Sequence, residues 1–288
     1  MGNHSHYHHL KHKWLKKNKE LHEHIVLKHK DISRSHRLKQ HLIGGLMLAS
    51  TPFIAATPAA ASTPPIPVPT PVQSSSISRQ EVAELLKEKL PPNVRPLTPS
   101  EEEDITSTLS KNLRIKVLPE LHGIRLNRSY GLIGQEQHLP RFVGDSISQH
   151  FDSSDDATIY ASYGMTPGRG AWGYFANSKA ELTPEDNLRE KYYIAVQTFL
   201  APGWNEHVSE YKDFFKYRKM LLVNPENGKA IICDIADAGP GESTGKHLGG
   251  SPEVMKYLER VDGAQKGPVL YFFIDDSNAT IPLGPLTL

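Results

Sequence analysis

Residues 221–258 read LLVNPENGKAIICDIADAGPGESTGKHLGGSPEVMKYL, and the punctuation of this stretch decides the fold. Two apolar runs, 220–223 and 229–236, flank Asn224-Pro225-Glu226-Asn227-Gly228. An Asn-Gly pair between strand-forming runs signals a hairpin, because both residues tolerate the left-handed conformation that a tight turn requires. After the second run come Asp237-Ala238-Gly239-Pro240, then a glycine-rich loop, then Ser251-Pro252. Serine capping a helix whose first residue is proline is a helix start. The order is therefore strand, turn, strand, loop, short helix.

Working outward, the same alternation of short apolar runs and Gly, Asn or Asp turns extends over residues 113–288. Residues 113–118, 158–163 (TIYASY), 192–199 (YYIAVQTF) and 269–274 (VLYFFI) are rich in strand formers and read as further strands. Three short helices interrupt them, capped by Thr183, Asn205 and Ser251, with Val208, Tyr211 and Phe215 on one face of the second. Many short strands with few helices point to a β-barrel rather than to alternating βαβ units. Upstream, Ser78-Arg79-Gln80-Glu81 is a capping box, and Val82, Leu85, Leu86 and Leu90 follow at helical spacing. A second helix is expected from about Ser100, with Ile105, Leu109 and Leu113 on one face. Helices within 77–112 either pack on the body or form a stalk.

The 221–258 pattern resembles the RlpA-like double-psi β-barrel family, of the barwin and expansin superfamily. Asp237-Ala238-Gly239-Pro240 matches its Asp-x-Gly-Pro motif. Ala161-Ser162-Tyr163-Gly164 is similar to the family's opening Ala-Ser-Trp-Tyr-Gly without the Trp, and Arg169-Gly170-Ala171-Trp172-Gly173-Tyr174 loosely resembles the Gly-Ala-Cys-Gly-Tyr stretch of expansin relatives. The resemblance covers roughly residues 157–275. It implies a mainly β fold, a six-stranded double-psi barrel with short inserted helices, occupying 113–288 with an N-terminal extension. It also implies action on wall polysaccharide, either as a lytic transglycosylase on peptidoglycan or as a non-catalytic, expansin-like binding module. The acid of the catalytic members corresponds to Asp237, and Tyr163, Trp172, Tyr174, Gly239 and His247 become candidates for substrate contact. A second Asp that the family often carries before the helix is absent, since Gly249-Gly250-Ser251 stands there. That absence disfavours two-carboxylate hydrolysis.

The residues themselves support an acid at position 237. Strand alternation places Ile231, Cys233, Ile235 and Asp237 on one face, which its apolar members mark as the packed one. A carboxyl against apolar neighbours resists ionisation and can serve as a general acid. Turn stabilisation is the ordinary alternative for an Asp here. A plain loop histidine is the alternative for His247, and core packing the alternative for Trp172 and Tyr174, whereas Tyr163 keeps its motif position. Cys233, the sole cysteine, excludes an intramolecular disulfide and a cysteine zinc cluster. The sequence assigns no metal centre and no cofactor to the barrel.

The N-terminal third has a different character. Residues 1–41 hold ten Lys/Arg, three Asp/Glu and ten of the 15 His, leaving 23 Lys/Arg against 29 Asp/Glu in the rest. A basic tail on an acidic body suits an anionic lipid surface, and the acidic body excludes nucleic acid as its partner. The run at His4, His6, His8 and His9 also suits a transition metal. Residues 42–61 (LIGGLMLASTPFIAATPAAA) are uncharged and read as a signal peptide or a membrane anchor, with an incidental apolar patch as the third reading. The first two retain the basic tail inside and export the body to the cell surface. Residues 62–76, with five prolines, read as an extended spacer.

Overall fold

The computed structural model describes residues 77–260 and 267–288. The tail, the 42–61 segment and the proline-rich spacer lie outside the described residues. In chain order the elements are α1 (Arg79–Lys89), α2 (Pro99–Leu113), β1 (Val117–Leu118), β2 (Glu120–Leu121), β3 (Ile124–Arg125), β4 (Tyr130–Gln135), α3 (Ser154–Tyr160), α4 (Pro184–Lys191), β5 (Tyr193–Val196), α5 (Val208–Phe215), β6 (Lys219–Val223), β7 (Ala230–Ala238), β8 (Leu248–Gly250), α6 (Pro252–Tyr257), β9 (Gly267–Ile274) and β10 (Gly284–Pro285). Among the described residues no helix is long and apolar enough to cross a membrane.

Six strands close a barrel. Going round it, β4 pairs with β8 in parallel, β8 with β5 antiparallel, β5 with β7 in parallel, and β7 with β6 antiparallel. Antiparallel β6–β9 and β9–β4 ladders complete the ring. This mixed six-stranded barrel with its few short helices is mainly β, as the sequence leads one to expect, and two parallel pairs within one closed ring are compatible with a double-psi barrel. The hairpin forms where the Asn-Gly pair places it, with Met220 opposite Cys233 and Val223 opposite Ala230. Gly228 sits at φ +69°, and a Cβ there would fall 1.8 Å from the Arg79 carbonyl oxygen. The turn therefore needs glycine both for its conformation and for the start of α1 that rests on it.

Burial follows the two-residue period of a strand. Met220, Leu222, Ile231, Cys233, Ile235, Val269, Tyr271 and Phe273 fill the interior, together with Phe214 and Phe215 of α5 and Val254 and Met255 of α6. Leu221, Val223, Ile232, Leu270, Phe272 and Ile274 face outward, where Val82, Leu86, Ile105, Leu109 and Leu113 of α1 and α2 cover them. Both faces of β6, β7 and β9 are thus largely dry, which explains why these strands read as mostly apolar runs, with the buried Asp234 as the exception in β7. Of the two placements open for the 77–112 helices, packing on the body is the one observed. Their starts are fixed by reciprocal caps, Ser78 with Glu81 and Thr98 with Glu101.

Three sequence expectations are corrected. Residues 158–163 are not a strand. They form the end of α3 and a 3-10 turn, because Ser153 caps a helix by accepting from the Asp156 N–H and Asp155 and Asp156 fill its first turn. The helix capped by Asn205 in the sequence reading instead starts at Val208 after His207, which makes no side-chain cap. Of the 113–118 run, Leu113 ends α2, residues 114–116 turn out of the helix after Arg114 at positive φ, and only Val117–Leu118 pairs as a strand.

Candidate functional site

Asp237 lies near the end of β7, and its placement departs from simple alternation. Against β5, Ile235 pairs with Ile194 and Asp237 with Ala195, so Ala236 is an extra residue, a bulge. Ile194 and Val196 point into the barrel, so Asp237 shares the outward face of Ala195. The expectation that it joins Ile231, Cys233 and Ile235 on the packed face is therefore corrected. Its carboxylate is half-buried and accepts the N–H groups of Ala171 and Ala238, each at 2.8 Å. Burial raises its pKa, and those two donors oppose the rise.

Next across the sheet, Ala195 pairs with Gly249 on β8. Asp237, Ala195 and Gly249 thus lie side by side on three strands, roughly 10 Å from first to last at ordinary strand spacing. A Cβ on Gly249 would meet the Glu136 carboxylate, 2.1 Å from its Oε1. That oxygen accepts from Lys246 Nζ at 2.7 Å, and Lys246 also donates to the Gln135 carbonyl at 3.0 Å. Position 249 is hence covered by a carboxylate from the end of β4. Glu136 escaped the sequence reading because nothing local in Gln135-Glu136-Gln137 marks it; only the parallel β4–β8 register brings it there.

The other predicted residues separate into two groups. The Trp172 loop does reach Asp237, through the Ala171 N–H. Gly239 also flanks it, donating to the Val196 carbonyl at 2.9 Å before a cis peptide to Pro240. Tyr163 and Tyr174 are half-buried, and Gly164 after Tyr163 is pinned to the main chain of His138. Trp172 itself is anchored, its Nε1 donating to the Lys212 carbonyl at 2.9 Å while the ring packs on the interior cluster. His247 is tied to β4, with Nδ1 accepting the Leu132 N–H at 2.9 Å and Nε2 2.8 Å from Arg128 Nη1. These bonds fit holding the loop. Cys233 is fully buried, and burial pushes its thiol well above the ordinary value, so it is no nucleophile.

A second polar group, unmarked in the sequence, lies beneath α4 and α6. His138 is fully buried, and neither ring nitrogen has a hydrogen-bond partner. Its Nδ1 is 3.4 Å from Glu190 Oε1 and 4.0 Å from Glu253 Oε2. His150 bridges Asp145 through Nδ1 at 3.1 Å and Glu190 through Nε2 at 2.9 Å. Arg141 holds Asp145 through Nε at 2.9 Å and its main-chain N–H at 3.0 Å. Burial alone would raise Glu190, but the two histidines bring it down to about 2. Burial would lower His150, yet Asp145 and Glu190 raise it to about 9. Glu253, with less to balance its burial, is pushed up to about 7. An unpartnered buried polar group costs about 1–3 kcal/mol, which makes His138 the anomaly of this cluster.

Compared with protein-family models, with curated proteins and with solved structures, the chain finds no match.

Proposed function

We propose that the chain is an exported cell-envelope protein of the RlpA-like, double-psi barrel kind, acting on peptidoglycan or a related wall glycan. The observation that carries the reading is Asp237, held at the rim of a closed six-stranded barrel with its pKa raised by burial. In this reading it acts as a lytic transglycosylase. Asp237 gives its proton to the glycosidic oxygen as that bond breaks. The sugar's own hydroxyl attacks the anomeric carbon, and its proton returns to the Asp237 carboxylate, leaving an anhydro-sugar end and a restored acid. No water is consumed, so one acid suffices. Lys246 holds Glu136 in an ion pair on the same face, consistent with a groove-lining rather than a proton-transferring part.

Export rests on the 42–61 segment, and attachment to a membrane on that segment and the basic tail. A non-catalytic, expansin-like binding module is the second reading. It is favoured by the two backbone N–H groups on Asp237, which stabilise the ionised form. Incubating the full chain with peptidoglycan, then analysing soluble products by mass spectrometry and sedimenting the wall, separates the two. Anhydro-sugar ends support the transglycosylase. Sedimentation with the wall but no products supports the binding module. Neither products nor sedimentation overturns the glycan reading.

A further inference from the structure

We propose that His138, His150, Glu190 and Glu253 form a structural binding site for a divalent transition metal, zinc by preference, beyond the glycan-acting rim. Candidate ligand atoms of His138, His150 and Glu190 all lie within 4.8 Å of one another, and all three residues are buried. Zinc–N and zinc–O bonds of about 2.0–2.1 Å place tetrahedral ligands about 3.3–3.4 Å apart. The His138 Nδ1–Glu190 Oε1 separation of 3.4 Å is such an edge, and the 2.9 Å His150–Glu190 and 4.0 Å His138–Glu253 separations lie to either side of it. Two imidazoles with carboxylates suit zinc and its neighbours rather than magnesium or calcium, which take all-oxygen sites.

Three further observations point to an ion. His138 Nδ1 faces the cluster without a hydrogen bond, 3.4 Å from Glu190 Oε1, and Glu253 Oε2 also has no hydrogen-bond partner. A metal would supply a partner to both. The outer partners of a metal site are also in place. His150 Nδ1 bonds Asp145, itself gripped by Arg141, which fixes the ring with Nε2 facing inward. Glu190 Oε1 accepts the Leu139 N–H at 2.9 Å, orienting that carboxylate. Finally, a cleft of about 80 Å³ lined by His150, Phe151, Glu190 and Glu253 offers an entry path.

The role is structural. Residues 136–192 join β4 to β5 without contributing a strand to the barrel, an unusually long connection for a packed domain. His138, His150 and Glu190 of α4 all belong to that connection, so a metal they share with Glu253 of α6 would staple it to the body. Binding displaces any proton on His150 Nε2 or Glu253 to solvent.

The test uses the full chain, stripped with EDTA and melted with and without added zinc, beside a variant with His4, His6, His8 and His9 all changed to Ala. Zinc should raise the melting temperature of the wild type and of this tail variant alike. In His138→Gln the rise should vanish, and Glu253→Gln should bind zinc at least tenfold more weakly, the loss typical of a weakened metal site. Should His138→Gln fail to fold, the cobalt(II) spectrum of the tail variant decides. Intense tetrahedral bands are expected, and a weak octahedral spectrum overturns the proposal. It is equally overturned if zinc leaves the tail variant's melting unchanged, or if Glu253→Gln keeps wild-type affinity.

Discussion

Two carboxylate-bearing regions of this protein solve opposite problems. At the rim, Asp237 is half-buried, bonded only to main-chain N–H groups, and placed by a bulge on the outer face of the barrel. Beneath α4 and α6, Glu190 and Glu253 are almost wholly buried, with His138 between them and His150 bonded to Glu190. The rim can lose or change an acid without stranding a charge. The buried cluster cannot, because each ionised member there is the counterpart of another. Position thus separates a half-exposed carboxylate at the rim from carboxylates enclosed within the fold.

The largest effect that sharpens this contrast is expected from Glu190→Gln in zinc-free protein. It leaves His150 with Asp145 as its one carboxylate partner and should cost about 3–5 kcal/mol, read as a fall in denaturant midpoint. A loss below about 1 kcal/mol breaks the contrast. Next comes Asp234, another buried acid. Burial pushes it up to about 7 despite Arg189 and Lys219. An acid that holds its proton more tightly folded than unfolded stabilises the fold below about pH 4, and that contribution is lost as pH rises through about 7. Asp234→Asn should therefore melt higher than wild type at pH 8, by about 2–4 °C per kcal/mol recovered, with the gap shrinking towards pH 5. A gap that is constant with pH contradicts the assignment. Removing the Ser78 cap with Ser78→Ala should cost about 1 kcal/mol by chemical denaturation, since α1 is part of the packed body; no loss would mean that the helix contributes little. Smallest is Asp237→Asn, whose stability should stay within about 0.5 kcal/mol of wild type by the same measurement.

The same contrast governs what the sequence could disclose. The barrel hairpin was legible because its signals are local: Asn227-Gly228 between two apolar runs, then Ser251-Pro252 opening α6. Asp237 stands out in the sequence through a contiguous motif. Its outward turn does not, because the Ala236 bulge arises from pairing with β5 rather than from any feature of β7 alone. Tyr160 and Tyr163 looked like strand residues, and a serine cap and two aspartates upstream outweighed their preference. His138, His150, Glu190 and Glu253 come from four separate stretches of chain, so no spacing announces them. Glu136 likewise reaches Gly249 only through the parallel β4–β8 register.

The central claim is that Asp237 is a working acid and not a turn residue. The direct measurement is the rate at which wild-type and Asp237→Asn full chains, matched in melting temperature, release anhydro-ended fragments from peptidoglycan. The account predicts a fall of about 10²–10⁴-fold in the variant, the usual contribution of a general acid. Release by Asp237→Asn at the wild-type rate would contradict it.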